Sequence, residues 1–288
     1  MPELPEVEVV KKSLKKEISN LIIKNIIINN NKLRYKIKNS FSKEIIGHKI
    51  LKISRRAKYI LLNLNNNLTI LSHLGMTGKF FIIKNDSERK KTSFYYNTSI
   101  KDHKHDHIIF YLSNKTKLVY NDVRRFGFIK LISTSNISSN LHIKYLGPEP
   151  LSKNFNLIYF KKYILNRKKI IKELMMDQKF IAGLGNIYVN EILFLCKINP
   201  FKKVNKINDK EIINIIKNTK KLLKRSIKFG GSSIKNFNNS DGKSGKFQQN
   251  FNVYGRKGKI CNKNNCKSLI NKLILSNRAI YYCKTCQK

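Results

Sequence analysis

The chain begins MPELPEVE, with a proline directly after the initiator methionine and three of its 17 acidic residues within the first eight positions. Initiator methionine is removed when the next residue is small, so we expect the mature chain to start with the secondary amine of Pro2. About a third of an α-amine is neutral at pH 7.5, because its pKa lies near 7.7–8.0. Attack of this amine on an aldehyde carbon gives a cationic iminium, and Glu3 stands beside it to move protons. The alternative is that Pro2 and Glu3 merely lead into a helix.

Four of the five cysteines fall within the last 28 residues of the chain. Cys261 and Cys266 are separated by four residues, Cys283 and Cys286 by two, and 16 residues lie between the pairs. Two close pairs in a cytosolic protein indicate a metal site rather than disulfides, and four thiolates suit a tetrahedral structural Zn²⁺ at the root of a β-hairpin. We expect the remaining Cys196 to be an ordinary buried thiol.

The formal net charge of +42 favours nucleic acid as the partner, with binding that weakens as salt rises. Much of this charge can also be compositional drift towards lysine, spread over solvated faces. Arginine is more informative, since only ten of the 59 basic residues are Arg and six lie in short neighbourhoods: Arg55, Arg56, Arg124, Arg125, Arg256 and Arg278. Such clusters indicate a need for the planar fork that grips phosphate or a base edge.

Hydrophobic periodicity predicts how these residues are positioned. Apolar residues recur at helical spacing after the opening, namely Val7, Val10, Leu14, Ile18 and Leu21, and Pro5, Glu6 and Glu8 suit the start of that helix. The pattern of residues 33–133 predicts an antiparallel sandwich or barrel. The biased stretches IIINNN (26–31) and NLNNN (63–67) are expected to form turns. Helical periodicity follows at 155–165, 168–177, 187–196 and 209–229, and Ser276–Asn277 reads as a hairpin turn. A 41% hydrophobic fraction, with no charged leader and no run of about 18 apolar residues, predicts a soluble cytoplasmic protein.

Nine motifs in order along the whole chain resemble the bacterial formamidopyrimidine-DNA glycosylases of the helix–two-turn–helix class: PELPEVE, RRAKY, HLGMTG, DVRRFG, LGPEPL, GLGNIYVNE, SDGKSG, VYGRKG and a cysteine ribbon with NRAIYYC. The resemblance implies an α+β fold with a leading helix and an N-terminal antiparallel β-sandwich, then a helix–two-turn–helix domain that ends in a β-hairpin zinc finger. The expected boundaries are a catalytic domain at 1–133, a linker at 134–150, the helical domain at 151–230, a lesion-capping loop at 231–252 and the zinc ribbon at 253–288.

The resemblance also implies a bifunctional repair enzyme that removes oxidised purines, such as 8-oxoguanine and formamidopyrimidines, and then cuts the strand. In the family's pattern Pro2 is the nucleophile on the sugar C1′ and Glu3 is the proton donor. Lys58 matches the group assigned to β-elimination, and Arg278 the group assigned to δ-elimination. The expected cofactor is one structural Zn²⁺ on the four cysteines, and the expected partner is damaged duplex DNA, bound by a monomer at the bacterial nucleoid.

The target nucleotide must leave the stack before it can react, and an inserted side chain should fill the hole. Met76, Arg124 and Phe126 match the family's intercalating residues, although Met76 and Phe126 would more often be core residues. Further matches are DNA contacts at His105, Arg124 and Arg167, a phosphate-gripping Asn186, and Lys172 and Glu191 near the lesion pocket. The histidines and aspartates of DHKHDH (102–107) suggest a metal site, but alternate residues on a strand point to opposite faces, which argues against shared ligation. A phosphate contact from His105 fits the family's pattern better.

Several departures from the family's pattern bear on zinc binding and base selectivity. The first cysteine pair has four intervening residues instead of two and lacks the glycine after Cys266. Val123 replaces a proline, Arg167 a lysine, and Ser244 and Lys246 a proline and an aromatic residue in the lesion loop. Two other functions stay open: an endonuclease VIII-type glycosylase for oxidised pyrimidines, and a noncatalytic zinc-ribbon DNA-binding protein.

Overall fold

A computed structural model of the chain describes residues 1–85, 89–93, 103–232 and 251–288. The chain divides into one unit made of Met1–Lys144 with Phe229–Lys246, and a second made of Tyr145–Lys228 with Phe247–Lys288. Each unit has an apolar core of its own, built around the sheets in the first unit and around the helices in the second.

Helix α1 (Leu4–Ile18) opens the first unit, with Glu3 at its N-cap and Pro5 in its first turn, as the sequence predicts. Its apolar stripe is fully buried against the sheets. The predicted extension of the stripe to Leu21 is wrong, because the helix ends at Ile18 and Asn20 takes a left-handed conformation with φ 65°.

The strands of the first unit form two antiparallel sheets. The five-stranded sheet has the order β1-β7-β8-β5-β6, with β1 at Ile23–Ile28, β5 at Lys79–Lys84, β6 at Lys90–Lys91, β7 at Asp106–Leu112 and β8 at Thr116–Asn121. The four-stranded sheet has the order β2-β3-β4-β9, with β2 at Ile50–Arg56, β3 at Tyr59–Leu64, β4 at Leu68–His73 and β9 at Phe128–Ser133. Both sheets contribute to one core, so the predicted β-sandwich with a leading helix is confirmed.

At the start of this unit, one prediction was wrong and one element was not predicted. The stretch IIINNN does not form a turn throughout, because Ile26, Ile27 and Ile28 belong to β1 and pair with β7. Three β-branched residues with Ile26 buried favour a strand more strongly than the following asparagines favour a turn. The short helix α2 (Phe41–Ile45), which buries Phe41, was not predicted at all.

The second unit is helical, and its helices fall where the periodicity predicts them. They are α3 (Leu157–Ile164), α4 (Ile171–Met176), α5 (Asn186–Leu195) and α6 (Asp209–Lys228), with a short 3₁₀ turn at Val204–Lys206. The unit ends in a two-stranded hairpin of β10 (Ile270–Leu275) and β11 (Arg278–Cys283). Its turn is Ser276–Asn277, as predicted, and both residues have positive φ, which is typical of a two-residue hairpin turn. No helix of the described residues combines the length and apolar character needed to cross a bilayer.

Candidate active site and metal centre

The α-amine at the start of the chain lies in a partly buried position surrounded by charge. Burial lowers the pKa of the Met1 amine, and four side chains act on it electrostatically: Glu3, Glu6, Lys58 and Arg124. Pro2 is buried, and Glu3 and Lys58 are only 3% and 7% exposed. The structure therefore gathers a carboxylate and an ammonium group, both predicted from the sequence, around the chain terminus.

Glu6 is a buried carboxylate whose role the sequence did not reveal. Its Oε2 accepts the backbone N–H of Glu3 at 2.9 Å, and its Oε1 accepts the N–H and the hydroxyl of Ser232 at 2.7 and 2.9 Å. A Cβ on Gly231 would approach Glu6 Oε1 to 3.1 Å, so the backbone passes close to the carboxylate. Glu6 therefore fixes the N-cap residue of α1 to a segment more than 200 residues away.

Met76 and Phe126, two of the predicted intercalating residues, protrude from two adjacent loops. We call these two side chains the wedge residues and the loops that carry them the wedge loops. Their side chains are 42% and 46% exposed, unlike core residues of their type, and the Arg124 guanidinium lies 4.5 Å from the centre of the Phe126 ring. Fully buried Asp122 holds both loops, because its carboxylate accepts from Thr77 Oγ1 at 2.5 Å and from Gly127 N at 2.8 Å. Sequence reasoning missed Asp122, although an acidic residue two positions before an arginine pair in a basic chain was an available signal.

Gly75, at the base of the Met76 loop, has a φ of 59° and no space for a side chain. A Cβ there would lie 2.4 Å from Gly127 N and from the carbonyl carbon of Phe126, so the two wedge loops are in direct backbone contact. His73 Nδ1 accepts the N–H of Gly75 at 3.0 Å. Burial lowers the pKa of His73 to about 4, with further lowering by Lys58, Arg34 and His142, so the ring is neutral and suited to accept this hydrogen bond.

In the second unit, Asn186 is the first residue of α5, as predicted for the tight turn before that helix. Buried Lys172 donates to Asn186 Oδ1 at 2.5 Å, and Asn186 Nδ2 donates to the carbonyl of Ala279 at 2.9 Å. Ala279 directly follows Arg278, which is exposed at the hairpin turn. The structure thus brings together three predicted residues, since Lys172 orients Asn186 and Asn186 holds the strand that starts at Arg278.

The three remaining predicted DNA or pocket residues have local partners. Arg167 is exposed, and it donates from Nε to the carbonyl of Tyr163 at 2.6 Å while its guanidinium lies 4.3 Å from the Tyr163 ring centre. Glu191 is fully buried and accepts the backbone N–H groups of residues 252–254, all at 2.8–2.9 Å. His105 is half-buried, and its carbonyl accepts from the backbone of Asp122 at 3.1 Å.

The described part of DHKHDH, residues 103–107, is built into the sheet. Asp106 pairs with Arg89 and accepts from Asn121 Nδ2, while His107 Nε2 contacts the carbonyl of Asp122 at 2.8 Å. The side chains of Asp106 and His107 are therefore engaged in contacts that stabilise the sheet. The lesion-loop residues Ser244 and Lys246, the SDGKSG motif and positions 233–250 of the predicted capping loop lie outside the described residues.

Within the described residues, the group that can hold a metal ion consists of the four ribbon cysteines. Their sulfur atoms all lie within 4.8 Å of one another, and the closest pairs are Cys266–Cys283 at 3.7 Å and Cys261–Cys286 at 3.9 Å. A tetrahedral ion with metal–sulfur bonds of about 2.3 Å requires sulfur separations of about 3.8 Å. The donor set therefore fits such an ion in spite of the longer first cysteine pair. Cys196 is the buried thiol predicted, and burial raises its pKa to about 12.

The extra residues of the first cysteine pair are absorbed in a local turn. Asn265 takes a φ of 62°, and Cys266 N donates to the carbonyl of Lys263 at 3.0 Å. The longer spacing consequently leaves Cys266 facing the other three sulfur atoms.

Comparison with known proteins gives the same pattern along the whole chain. Residues 1–129 match the formamidopyrimidine-DNA glycosylase N-terminal domain, and residues 146–238 match the formamidopyrimidine-DNA glycosylase H2TH domain. The formamidopyrimidine-DNA glycosylase of Rickettsia felis is 42% identical over 287 residues, which is 100% of this chain and 98% of that protein. The protein of the same name from Rickettsia bellii is 41% identical over 288 residues, 100% of both chains.

Solved structures with the same fold carry DNA. The Lactococcus lactis Fpg in complex with an abasic site containing DNA is 34% identical, with a TM-score of 0.85 over 99% of both chains. The wild-type Lactococcus lactis Fpg with a DNA containing N7-benzyl-Fapy-dG is also 34% identical, with a TM-score of 0.85 over 100% of both chains.

Proposed function

The chain belongs to the formamidopyrimidine-DNA glycosylase family, and we propose that it removes oxidised purines from damaged duplex DNA through the amine of Pro2 and then nicks the strand. As a member of this family the protein is a DNA glycosylase. One observation supports the proposed chemistry: Glu3 and Lys58 are buried side chains whose charges act on the amine of Met1, the residue directly before Pro2.

In the proposed reaction, Pro2, Glu3, Lys58 and Arg278 each take part in one step. The neutral amine of Pro2 attacks C1′ of the damaged nucleotide, the base leaves, and Glu3 protonates the ring oxygen of the deoxyribose as it opens. The resulting iminium acidifies the hydrogens of C2′. Lys58 assists removal of one of them, so that the 3′ phosphate leaves by β-elimination, and Arg278 assists the δ-elimination that releases the 5′ phosphate.

The exposure of Met76 and Phe126 supports a role in opening the duplex. Two protruding apolar side chains with Arg124 against one of them are the composition of a wedge that enters a base stack. We propose that they fill the space left by the extruded nucleotide. Lesion-bearing DNA in the complexes of the Lactococcus lactis relatives supports damaged DNA as the substrate.

We propose that the four ribbon cysteines hold one Zn²⁺, which supplies structural cross-linking of the hairpin and no part of the reaction. An all-thiolate donor set, with its two closest sulfur pairs near the separation of about 3.8 Å expected for tetrahedral ligation, supports zinc. We also propose that the protein acts as a monomer at the nucleoid in the cytoplasm, where chromosomal DNA is found.

Borohydride trapping on a duplex with a single abasic site tests the proposal. Protein that starts at Pro2, verified by intact mass, should form a covalent adduct, and Pro2→Gly should lose most of it. Cleavage of duplexes that carry 8-oxoguanine or thymine glycol then compares purine with pyrimidine lesions. Failure of verified wild-type protein to crosslink or nick either substrate would show a noncatalytic DNA-binding protein instead.

A further inference from the structure

We propose that Arg55 is a positioning residue for this reaction: its guanidinium joins Glu8 of helix α1 to the backbone of the turn that carries Lys58. The inference rests on the proposed function, because it concerns the alignment of Lys58 with the amine that precedes α1. The sequence suggested that Arg55, as part of the Arg55–Arg56 pair, contacts DNA; the inference instead gives it a structural role within the protein.

The contacts of Arg55 reach both elements. Its Nε donates to Glu8 Oε2 at 2.7 Å, and its Nη1 donates to the carbonyl of Ala57 at 2.9 Å. The side chains of Arg55 and Glu8 are only 9% and 14% exposed, so water screens this ion pair weakly. The other oxygen of Glu8 accepts from Lys11 Nζ at 2.8 Å.

Glu8 is held in its charged form by these partners. Burial alone would raise its pKa, but the hydrogen bonds and charges of Lys11 and Arg55 outweigh burial and lower the pKa below the usual range. The carboxylate is consequently available to Arg55 throughout the neutral pH range.

The turn held by Arg55 has an unfavourable backbone conformation. Arg56 and Tyr59 pair as the last residue of β2 and the first of β3, which leaves Ala57 and Lys58 as a two-residue turn. Ala57 has a φ of 52°, and a residue with a Cβ pays about 1 kcal/mol or more for this left-handed conformation. Such a conformation persists only where surrounding contacts stabilise it. The hydrogen bond from Arg55 to the Ala57 carbonyl is one such contact, because it is made to the strained residue itself.

The position of the turn matters for the reaction because Lys58, the group proposed for β-elimination, directly follows Ala57. Lys58 is 7% exposed, and its charge is one of the influences that lower the pKa of the Met1 amine, directly before Pro2. Movement of the turn would therefore change both the approach of Lys58 to C2′ and the electrostatic field at the amine. Errors of about 1 Å in such alignment cost on the order of 100-fold in rate.

Arginine suits this role because its planar fork donates in two fixed directions at once. Lysine at the same position keeps the charge next to Glu8 but cannot hold Glu8 and the Ala57 carbonyl with the same geometry. Arg55→Lys thus tests the geometry of the contact while the positive charge is kept. Glu8→Gln removes the negative charge that pairs with Arg55 and places an amide N–H₂ where one of the two accepting oxygens stood. Lys11→Gln is the matched control, since Lys11 also pairs with Glu8 yet has no bond to the turn.

The experiment uses verified full-length protein and two readouts on an abasic-site duplex. The first is the ratio of borohydride-trapped adduct to cleaved strand in a single turnover, which should rise about tenfold or more in Arg55→Lys and Glu8→Gln. The second is the pH profile of trapping. Lys58 lowers the pKa of the Met1 amine, and we expect it to act in the same direction on the amine of Pro2 once Met1 is removed. Displacement of Lys58 should therefore move the acid limb of the profile to higher pH in both variants, and the profile should stay unchanged in Lys11→Gln.

A loss of general stability would lower trapping and cleavage together and leave the ratio and the pH profile at their wild-type values, which would overturn the inference. The inference is equally wrong if Lys11→Gln changes both readouts as strongly as Arg55→Lys. Should Arg55→Lys fail to fold, Glu8→Gln carries the test alone. A wild-type protein that neither traps nor cleaves would refute the proposed function, and the two failures are therefore distinguishable.

Discussion

Ser232 donates both its backbone N–H and its hydroxyl to one oxygen of Glu6, and the other oxygen of Glu6 accepts the backbone N–H of Glu3. The carboxylate is 1% exposed, so all three hydrogen bonds are shielded from water. The proposed proton donor is thereby connected through one side chain to the start of the expected lesion-capping loop.

We expect Glu6→Gln to destabilise the protein by about 1–3 kcal/mol, because the amide nitrogen must face at least one of the three donors and leave it unsatisfied. Ser232→Ala removes a single hydroxyl and should cost about 0.5–1.5 kcal/mol. Urea unfolding measures both, with Glu44→Gln on the exposed face of α2 as the control. Borohydride trapping should slow in Glu6→Gln as the N-cap loosens; equal stability of Glu6→Gln and the control would contradict this explanation.

The first eight residues show how far sequence reasoning reached. Pro2 and Glu3 were identified from neighbouring residue types and from the family resemblance, and the start of α1 follows from Pro5 and the apolar spacing. Glu6 and Glu8 were interpreted only as acids at the positive end of a helix. Their partners Ser232 and Arg55 lie in other parts of the chain, and no local pattern indicates a hydrogen bond across such a distance.

His73 gives a prediction about pH. Its folded pKa of about 4 lies below the usual value of about 6.5, so the unfolded chain takes up the proton first as pH falls. The stabilising contribution of neutral His73 is therefore complete above about pH 6.5 and is lost as pH falls towards about 4. His73→Asn keeps a side-chain acceptor for the Gly75 N–H without this titration.

Urea midpoints of wild type and His73→Asn should be compared at pH 7.5, 6 and 5. The advantage of wild type should shrink as pH falls, since the other titrating groups cancel in the difference. An advantage that stays constant or grows would show that His73 is not held neutral.

The cysteine ribbon gives a prediction about metal content. Because four thiolates within 4.8 Å of one another repel without a cation, binding of the ion should be coupled to folding of the hairpin. We expect one zinc per chain by elemental analysis, and chelation or Cys266→Ser should remove it and weaken DNA binding. Cys196→Ala, which alters a buried thiol outside the ribbon, should keep the full zinc content. Intact DNA affinity in metal-free protein would contradict the expectation.

The second unit shows a different limit of sequence reasoning. The cysteine spacing, the hairpin turn at Ser276–Asn277 and the helices could be predicted, because each is a local pattern of residue types. The partners of Glu191 could not, since its carboxylate binds successive backbone N–H groups of residues 252–254, and backbone groups leave no trace in a sequence. The family resemblance put Glu191 near the lesion pocket, and its position there stays a prediction.

Substitutions in the wedge loops should lower the rate of base excision without greatly lowering the stability of the protein. Met76 and Phe126 are about half exposed, so Met76→Ala and Phe126→Ala should change the free energy of unfolding by less than about 1 kcal/mol. Both variants should nevertheless excise 8-oxoguanine from duplex DNA more slowly, by about tenfold or more, because an unfilled gap in the stack favours return of the nucleotide. Ile158→Ala, at an apolar side chain that is 80% exposed on α3, is the control for removal of surface area. On a single-stranded substrate, where no stack has to be opened, the excision rates of the two variants should approach that of wild type. An equal loss of rate on both substrates would assign these side chains to general DNA binding rather than to base extrusion.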